Sequence, residues 1–490
     1  MSDTQGTEAI SLDPDCWQSI RVQAHRMLDE TFDHLQGCRS QAAWLPMPET
    51  IRNAFQTKIP VHATSLTDVY ASFGERIQPY ALGNIHPGFM GWVQGGGSVI
   101  GMLAEMLAGG LNANLGGRDQ SPLEVEKEVI DWMRQLFRFP ATSSGIFLTG
   151  SSIANFVAIV VARNAAMQMS PRKNGMLASG TQLTAYTSKA VHRCVSQALD
   201  MAGIGSRWLR KIETDGNHRI DLNQLRNAIQ ADVDKGLLPF CLIGCAGTVD
   251  TGAIDDLESL RQIATENALW FHIDGAFAAL GLFSHEIGSK LRGIESADSI
   301  AFDFHKWAQV PYDAGFLLVR HGDKHLASFE NPADYLSRDQ RALSASSPWP
   351  CDLGPDLSRS FRALKTWMTF KVYGTKRIGQ IMEHTCRLAE YLSDRVLENK
   401  ELELLAPISL NIVCFRYRCQ DADRINESVV ASVQLDGRVI PSSTRIDGKF
   451  AIRAAIFNHR TTREEIDMLL ESVIRQAQIH INAKPSAMAA

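Results

Sequence analysis

The chain has 490 residues, 45% of them hydrophobic and 21% charged, which suits a soluble protein large enough for two or three domains. Its formal net charge of −5 gives no electrostatic footing for nucleic acid or an anionic membrane as partner. Nine cysteines without a CxxC pair suggest neither a disulfide framework nor a metal site and suit a reducing cytoplasm; the polar first ten residues are unlike a signal segment, and no apolar run is long enough to span a bilayer.

Asp13-Pro14 reads as an N-cap followed by proline at the first helical position, with Trp17, Ile20, Ala24, Met27, Leu28 and Leu35 recurring at helical spacing after it. A short helix is predicted from Pro48, carrying Ile51, Ala54 and Phe55. A third is predicted from Ser65, capped with Asp68, and Leu66, Val69, Tyr70, Phe73 and Ile77 form its apolar stripe. Three such helices enclose too little apolar surface to fold alone, so they are expected to pack on a second subunit or on the body of their own chain. From Asn84 glycines cluster at Gly88, Gly91, Gly95, Gly96 and Gly97, then at Gly109, Gly110, Gly116 and Gly117, a density that lets backbone approach a ligand or another backbone closely.

Ile146-Phe147-Leu148 leads into Thr149-Gly150-Ser151-Ser152 and a helix over 153–169. A strand, a small-residue turn and a helix N-terminus form a ready anion site, although serine is also simply a good N-cap. Strand and helix patterns then alternate: strands over 183–186, 206–212, 240–246, 269–274, 300–304 and 315–319, and helices after His192, over 222–232 and over 257–266. This alternation predicts an α/β fold with a mostly parallel sheet and helices on both faces, with ligands beyond the carboxyl ends of the strands. Thr248, Asp274 and Lys306 each follow an apolar strand directly, so all three are expected to face one crevice. After a polar stretch over 331–355, a long helix over 359–397 is predicted to bend near Gly374. Strands over 412–417, 439–445 and 450–456 follow, and Thr462 with Glu465 resembles a capping box for the last helix. The expected organisation is a helical segment 1–85, a large domain 86–370 and a small α+β domain 371–490.

A lysine at the end of a buried segment, here in Phe304-His305-Lys306-Trp307, is costly unless paired or neutral, and a neutral amine can form a Schiff base with an aldehyde. The aldehyde that fits the remaining residues is pyridoxal phosphate. Lys306 would anchor it, Ser151-Ser152 would cradle its phosphate, Asp274 would keep its pyridine nitrogen protonated, and His192 would lie against its ring.

Taken together, Thr149-Gly150-Ser151-Ser152-Ile153-Ala154-Asn155, Val191-His192, Ala246-Gly247-Thr248, His272-Ile273-Asp274-Gly275-Ala276, Phe304-His305-Lys306-Trp307 and Arg359-Ser360-Phe361-Arg362-Ala363-Leu364-Lys365 make the chain resemble the group II pyridoxal-phosphate-dependent amino-acid decarboxylases, as a bacterial-type member. That family includes the aromatic-L-amino-acid, glutamate and histidine decarboxylases, and the resemblance runs over nearly the whole chain from Trp17. It implies an aminotransferase-like, fold type I architecture with a mostly parallel seven-stranded sheet. It also implies a homodimer with active sites at the interface and a helical N-terminal segment that embraces the partner.

By position, Lys306 matches the Schiff-base lysine, Asp274 the partner of the pyridine nitrogen, Ala276 a residue packed on the ring and His192 the stacking histidine. Ser151, Ser152 and His305 match phosphate-side positions, Thr248 lies in a cofactor-side motif, and Ser358 falls where the family supplies a phosphate contact from the other subunit. Tyr335 matches a loop tyrosine implied to protonate the α-carbon after CO2 leaves.

The segments around Trp92, Gln94, Asn114 and Arg118 are more polar than in aromatic decarboxylases, so these four are expected to line a more polar substrate pocket. Arg118 reads equally well as a carboxylate ligand or as half of a surface ion pair. The implied activity is decarboxylation of an L-amino acid to its amine. The alternatives are aldehyde-forming oxidative deamination or other carbanion chemistry, and a non-catalytic scaffold. Tyr335 favours the first, because aldehyde-forming relatives commonly carry phenylalanine there, and an intact Lys306, Asp274 and His192 argue against the last.

Overall fold

The computed structural model describes residues 11–331, 341–345 and 348–482. Among them are twelve strands: β1 (Phe89–Met90), β2 (Ser144–Leu148), β3 (Leu183–Ser188), β4 (Leu209–Ile212), β5 (Leu238–Cys245), β6 (Trp270–Asp274), β7 (Ser299–Asp303), β8 (Gly315–Val319), β9 (Leu402–Leu404), β10 (Ile412–Tyr417), β11 (Ile440–Ile446) and β12 (Lys449–Ala455). Seven form one sheet in the order β2-β8-β7-β6-β5-β3-β4. It is parallel except at β8, which runs antiparallel to both β2 and β7.

The central strands are apolar on both faces because both faces are covered. Side chains alternate along each strand, so Leu242, Phe271, Ile273, Ile300 and Phe302 enter one core while Cys241, Ile243, Trp270 and Ala301 enter the other. Helix Ser151–Ala166 closes the second face; Ala154, Val157, Ala158 and Val161 on it are buried, and its polar N-terminal turn is left at the carboxyl end of the sheet. A second, five-stranded sheet has the order β1-β11-β12-β10-β9. Through the parallel pair of β1 with β11, it fastens the glycine-rich segment that follows β1.

Some expected boundaries move. The first helix spans Trp17–Gln36 behind Cys16, with no side-chain cap, so Asp13-Pro14 does not start it. Residues 206–208 form a 3-10 turn ahead of β4, because Gly205 enters with φ 93°. The long helix Arg362–Glu398 is broken where expected: Gly374 has φ 73° and ψ 149°, and its next turn restarts the helix. At Thr462 the expected cap is half formed, since Glu465 accepts from Thr462 N at 2.8 Å and from its hydroxyl at 2.8 Å. Helices Trp17–Gln36, Glu49–Asn53 and Leu66–Arg76 bury none of their residues in this chain. No helix of the described residues is long and apolar enough to cross a membrane.

One buried ion pair ties the helical layer to the sheet. Arg359 Nη2 lies 2.6 Å from Glu126 Oε1, with both side chains almost wholly buried. The same guanidinium donates to the carbonyls of Leu115 and Phe147, the latter in β2. Removing one partner of such a pair strands the other charge in a low-dielectric site. Arg359→Ala is therefore expected to lower the unfolding free energy by about 3–5 kcal/mol, read by urea denaturation; a loss under about 1 kcal/mol would mean that solvent already screens the pair.

Candidate active site

The carboxyl ends of β5, β6 and β7 and the N-terminus of helix Ser151–Ala166 surround a pocket of about 410 Å3. Lys306 stands just past β7, and its Nζ lies 2.8 Å from Oδ2 of Asp303, the last residue of that strand. Burial alone would push the Lys306 amine down, but Asp303, with Asp274 in support, outweighs it and holds the amine above the ordinary lysine range. Of the two ways in which a buried lysine is tolerated, paired or neutral, this one is paired. Asp303 itself, buried yet facing the Lys306 ammonium and the His305 ring, is held below the usual carboxylate range, because desolvation, which would raise it, is outweighed first by the Lys306 charge and then by His305 and its hydrogen bonds.

Asp303 also lines the pocket and is a residue that the sequence reading did not single out. Its other oxygen, Oδ1, accepts the Ser151 amide at 2.7 Å, so one carboxylate joins the end of β7 to the start of the helix. The one trace of Asp303 in the sequence is a carboxylate closing an otherwise apolar strand, three residues before Lys306, which without its partners reads as an interruption.

The remaining expected residues largely converge. Ser151, Ser152, His192, Thr248, Asp274, Ala276, His305 and Lys306 all line this pocket. The Ser151 hydroxyl is buried and has no hydrogen-bond partner, at a helix N-terminus where the backbone dipole favours an anion; this fits a phosphate. Close backbone approach builds the turn, since a Cβ on Gly315 would stand 2.3 Å from the Cα of Gly150. Asp274 ends β6, with burial pushing its carboxyl up, and Oδ1 accepts the Ala276 amide at 3.2 Å. His192 caps helix Arg193–Met201 by accepting the Cys194 amide at Nδ1, which keeps the ring against the pocket wall. His305 Nδ1 accepts the Ala314 amide at 2.9 Å, and its ring lies 4.2 Å from that of Tyr312. Thr248 spends its hydroxyl locally, 3.1 Å from that of Thr251 and accepting the Ala253 amide, so it shapes the turn after β5. Behind the pocket, His272 links Asn155 Oδ1 at 2.7 Å to Ser299 Oγ at 2.8 Å, bracing β6 against the helix and β7.

The outer wall is formed by Trp92, Val93, Gln94, Phe277 and Tyr312. Of the four residues expected to make it polar, Trp92 and Gln94 are there, while Asn114 and Arg118 do not line this chain's pocket. Asn114 Oδ1 instead accepts the amides of Gly116 at 2.9 Å and Arg359 at 3.0 Å. The Arg118 guanidinium lies over the Trp349 ring, 4.5 Å from its centroid. Both positions are drawn into the packing of the 114–118 turn of this chain. Ser358 is exposed and outside this pocket. Tyr335 lies outside the described residues.

Known proteins resemble the chain over most of its length. The family model described as the pyridoxal-dependent decarboxylase conserved domain matches residues 48–418. An aromatic-L-amino-acid decarboxylase of Bacillus atrophaeus is 30% identical over 471 residues, covering 93% of this chain and 95% of the relative. A phenylacetaldehyde synthase of Arabidopsis thaliana is 27% identical over 465 residues, covering 90% and 92%. In fold, the chain resembles the crystal structure of Oryza sativa TDC with PLP and tryptamine, with a TM-score of 0.88 and 23% identity, covering 96% of this chain and all of that one.

Burial of histidines, at the pocket and elsewhere in the fold, also fixes how stability responds to acid. Burial pushes His272 down to about 3, and His305, His325 and His459 to about 4. In the unfolded chain each would take up a proton near pH 6.5, so the unfolded state binds more protons between pH 6.5 and 4, and folding weakens as pH falls through that window. Asp255, pushed up to about 6 by burial, and Asp274, pushed up likewise, act in the opposite sense as pH falls, but His86 and His192, also lowered by burial, join the four. The unfolding free energy is expected to fall from pH 6.5 to pH 4, each histidine adding up to about 1.4 kcal/mol per pH unit. Stepped-pH denaturation checks this, and a level profile over that window would contradict neutral burial of these rings.

Proposed function

The chain belongs to the pyridoxal-dependent decarboxylase family and uses pyridoxal phosphate to remove CO2 from an amino acid, and we propose that this chemistry runs in the pocket around Lys306. One observation carries the reading: the Lys306 amine, the Asp274 carboxylate and the unpartnered Ser151 hydroxyl converge on a single pocket at the strand ends. When bound, the cofactor supplies an electron sink for the pair left on the substrate α-carbon as CO2 departs.

The chain's own residues have distinct parts. Lys306 would hold the cofactor's aldehyde end, and Ser151, Ser152 and the helix N-terminus would hold its phosphate, with His305 on that side. Asp274 would keep the ring nitrogen protonated, its buried carboxylate gaining the counter-charge that desolvation makes it need. His192 and Ala276 would confine the ring between them, and Thr248 would hold the turn beside it. The outer wall would orient the substrate so that the bond to the carboxylate stands across the ring plane. Tyr335 would return a proton to the α-carbon, an assignment resting on the pattern Asn331-Pro332-Ala333-Asp334-Tyr335-Leu336 alone.

We infer an aromatic amino acid carrying a hydrogen-bonding group as substrate. Support comes from the Bacillus atrophaeus relative's activity and from a wall that mixes Trp92, Phe277 and Tyr312 with Gln94. A homodimer is supported by the apolar side chains that the N-terminal helices leave exposed, among them Trp17, Ile20, Leu66, Val69, Phe73 and Ile77. Ser358, exposed in its own chain, would then serve the partner's phosphate. We keep the division into a helical segment 1–85, a large domain 86–370 and a small domain 371–490, and we assign the protein to the cytoplasm because its nine cysteines form no disulfide.

Aldehyde formation is the second reading, favoured by similarity to a phenylacetaldehyde synthase. A panel of L-amino acids offered to the cofactor-loaded protein separates the two. Amine and CO2 without peroxide are expected, whereas ammonia and peroxide would establish the aldehyde-forming reaction. Tyr335→Phe is expected to slow amine release about 10²- to 10⁴-fold and to divert product towards aldehyde; unchanged amine output would assign the proton to another group.

A further inference from the structure

Asp303 lies between the two ends of the site, and nothing in the reading above uses it. Its side chain is almost wholly buried, and its oxygens are divided. Oδ2 faces Lys306 Nζ at 2.8 Å, and Oδ1 accepts the Ser151 amide, the first N–H of helix Ser151–Ala166. His305 Nε2 lies 3.8 Å from Oδ2. The other titratable groups of the pocket are Asp274 on β6, Cys245 on β5, Cys194 and His192 at the start of helix Arg193–Met201, and Tyr312. Among these, Asp303 is the carboxylate in direct contact with the lysine.

Two consequences follow from the position alone. Lys306 can add to an aldehyde only through a free lone pair. The ammonium must first release a proton to solvent; the N–C bond then forms and the aldehyde oxygen leaves as water with the two remaining nitrogen protons. A carboxylate at 2.8 Å opposes the first of these steps. A phosphate seated on the same helix N-terminus would also share it with an existing negative charge.

We propose that Asp303 is a positioning residue that restrains cofactor loading, by holding Lys306 as the ammonium and by setting a like charge beside the phosphate at Ser151. The proposal rests on the pocket reading above and adds to it a built-in opposition to the cofactor at both its aldehyde and its phosphate end. The raised Lys306 and lowered Asp303 proton affinities agree with that geometry.

The test uses the full chain freed of cofactor, titrated with pyridoxal phosphate and with pyridoxal, and followed by the absorbance of the anchored aldehyde across pH. Asp303→Asn keeps the shape and the acceptor for the Ser151 amide while removing the charge. Its capture midpoint is expected about one to three pH units below wild type with both aldehydes. Its gain in affinity at fixed pH is expected to be larger for pyridoxal phosphate than for pyridoxal. An unchanged or higher midpoint, or equal gains for the two aldehydes, would overturn the proposal. Should Asp303→Asn not fold, the wild-type rate of pyridoxal capture serves: it is expected to rise without levelling up to about pH 9, towards the lysine range, and a plateau below about pH 8 would overturn the proposal. Lys306→Ala separates the two ideas. If it captures aldehyde as well as wild type, the pocket reading fails; if it captures none while Asp303→Asn matches wild type, only the Asp303 proposal fails.

Discussion

A charged lysine held between buried carboxylates is the constraint on which this pocket depends. Lys306, Asp303 and Asp274 sit at the ends of two neighbouring parallel strands, where desolvation makes any single charge expensive. They are tolerable only together, and only if the strand ends keep their spacing. The register of β6 against β7 pairs Asp274 with Ala301, which puts the end of β7 and Lys306 beyond it next to the end of β6. Asp255, also buried, accepts the amides of Ile220 and Cys245 and so fixes the end of β5 beside them. The polar contacts of the site are therefore also the fastenings of the sheet's carboxyl edge.

The outer wall has a separate origin. β1 is two residues long, yet its parallel pairing with β11 carries the chain from the small sheet directly into Trp92, Val93 and Gln94. Gly95 then passes so close to the backbone of Lys306 that a Cβ would stand 2.3 Å from its carbonyl oxygen. From the same sheet, Arg453 on β12 is buried and donates to the carbonyls of Val249 and Asp250, and Thr444 on β11 donates to Asp250 Oδ1 at 2.6 Å. The turn after β5 and the glycine-rich segment are thus both anchored in the five-stranded sheet. Lys306 and its carboxylates thus sit at the edge of one sheet, and Trp92, Val93 and Gln94 are carried to the same pocket from the other.

Much of this was legible in the residues because the relevant signals are local. Thr248, Asp274 and Lys306 each end an apolar run, and an apolar run of that length in an alternating pattern is a buried parallel strand. Ser151 was legible as a helix start. Asp303 was not, because a carboxylate inside a strand pattern looks like an interruption until its partners come from other segments, the Ser151 amide from 152 residues away. Asn114 and Arg118 pose the converse difficulty. Their polarity is real, but turn geometry and the Trp349 ring absorb it, and no periodicity reports which way a turn residue faces. β1 is too short to carry any period at all.

The central claim is that one lysine, Lys306, holds the cofactor. Borohydride reduction of the cofactor-loaded protein, followed by proteolysis and mass mapping, tests it most directly. The reduced pyridoxyl-phosphate mass is expected on the peptide containing Lys306. Finding that mass on the peptide of any other lysine, with the Lys306 peptide unmodified, would contradict it.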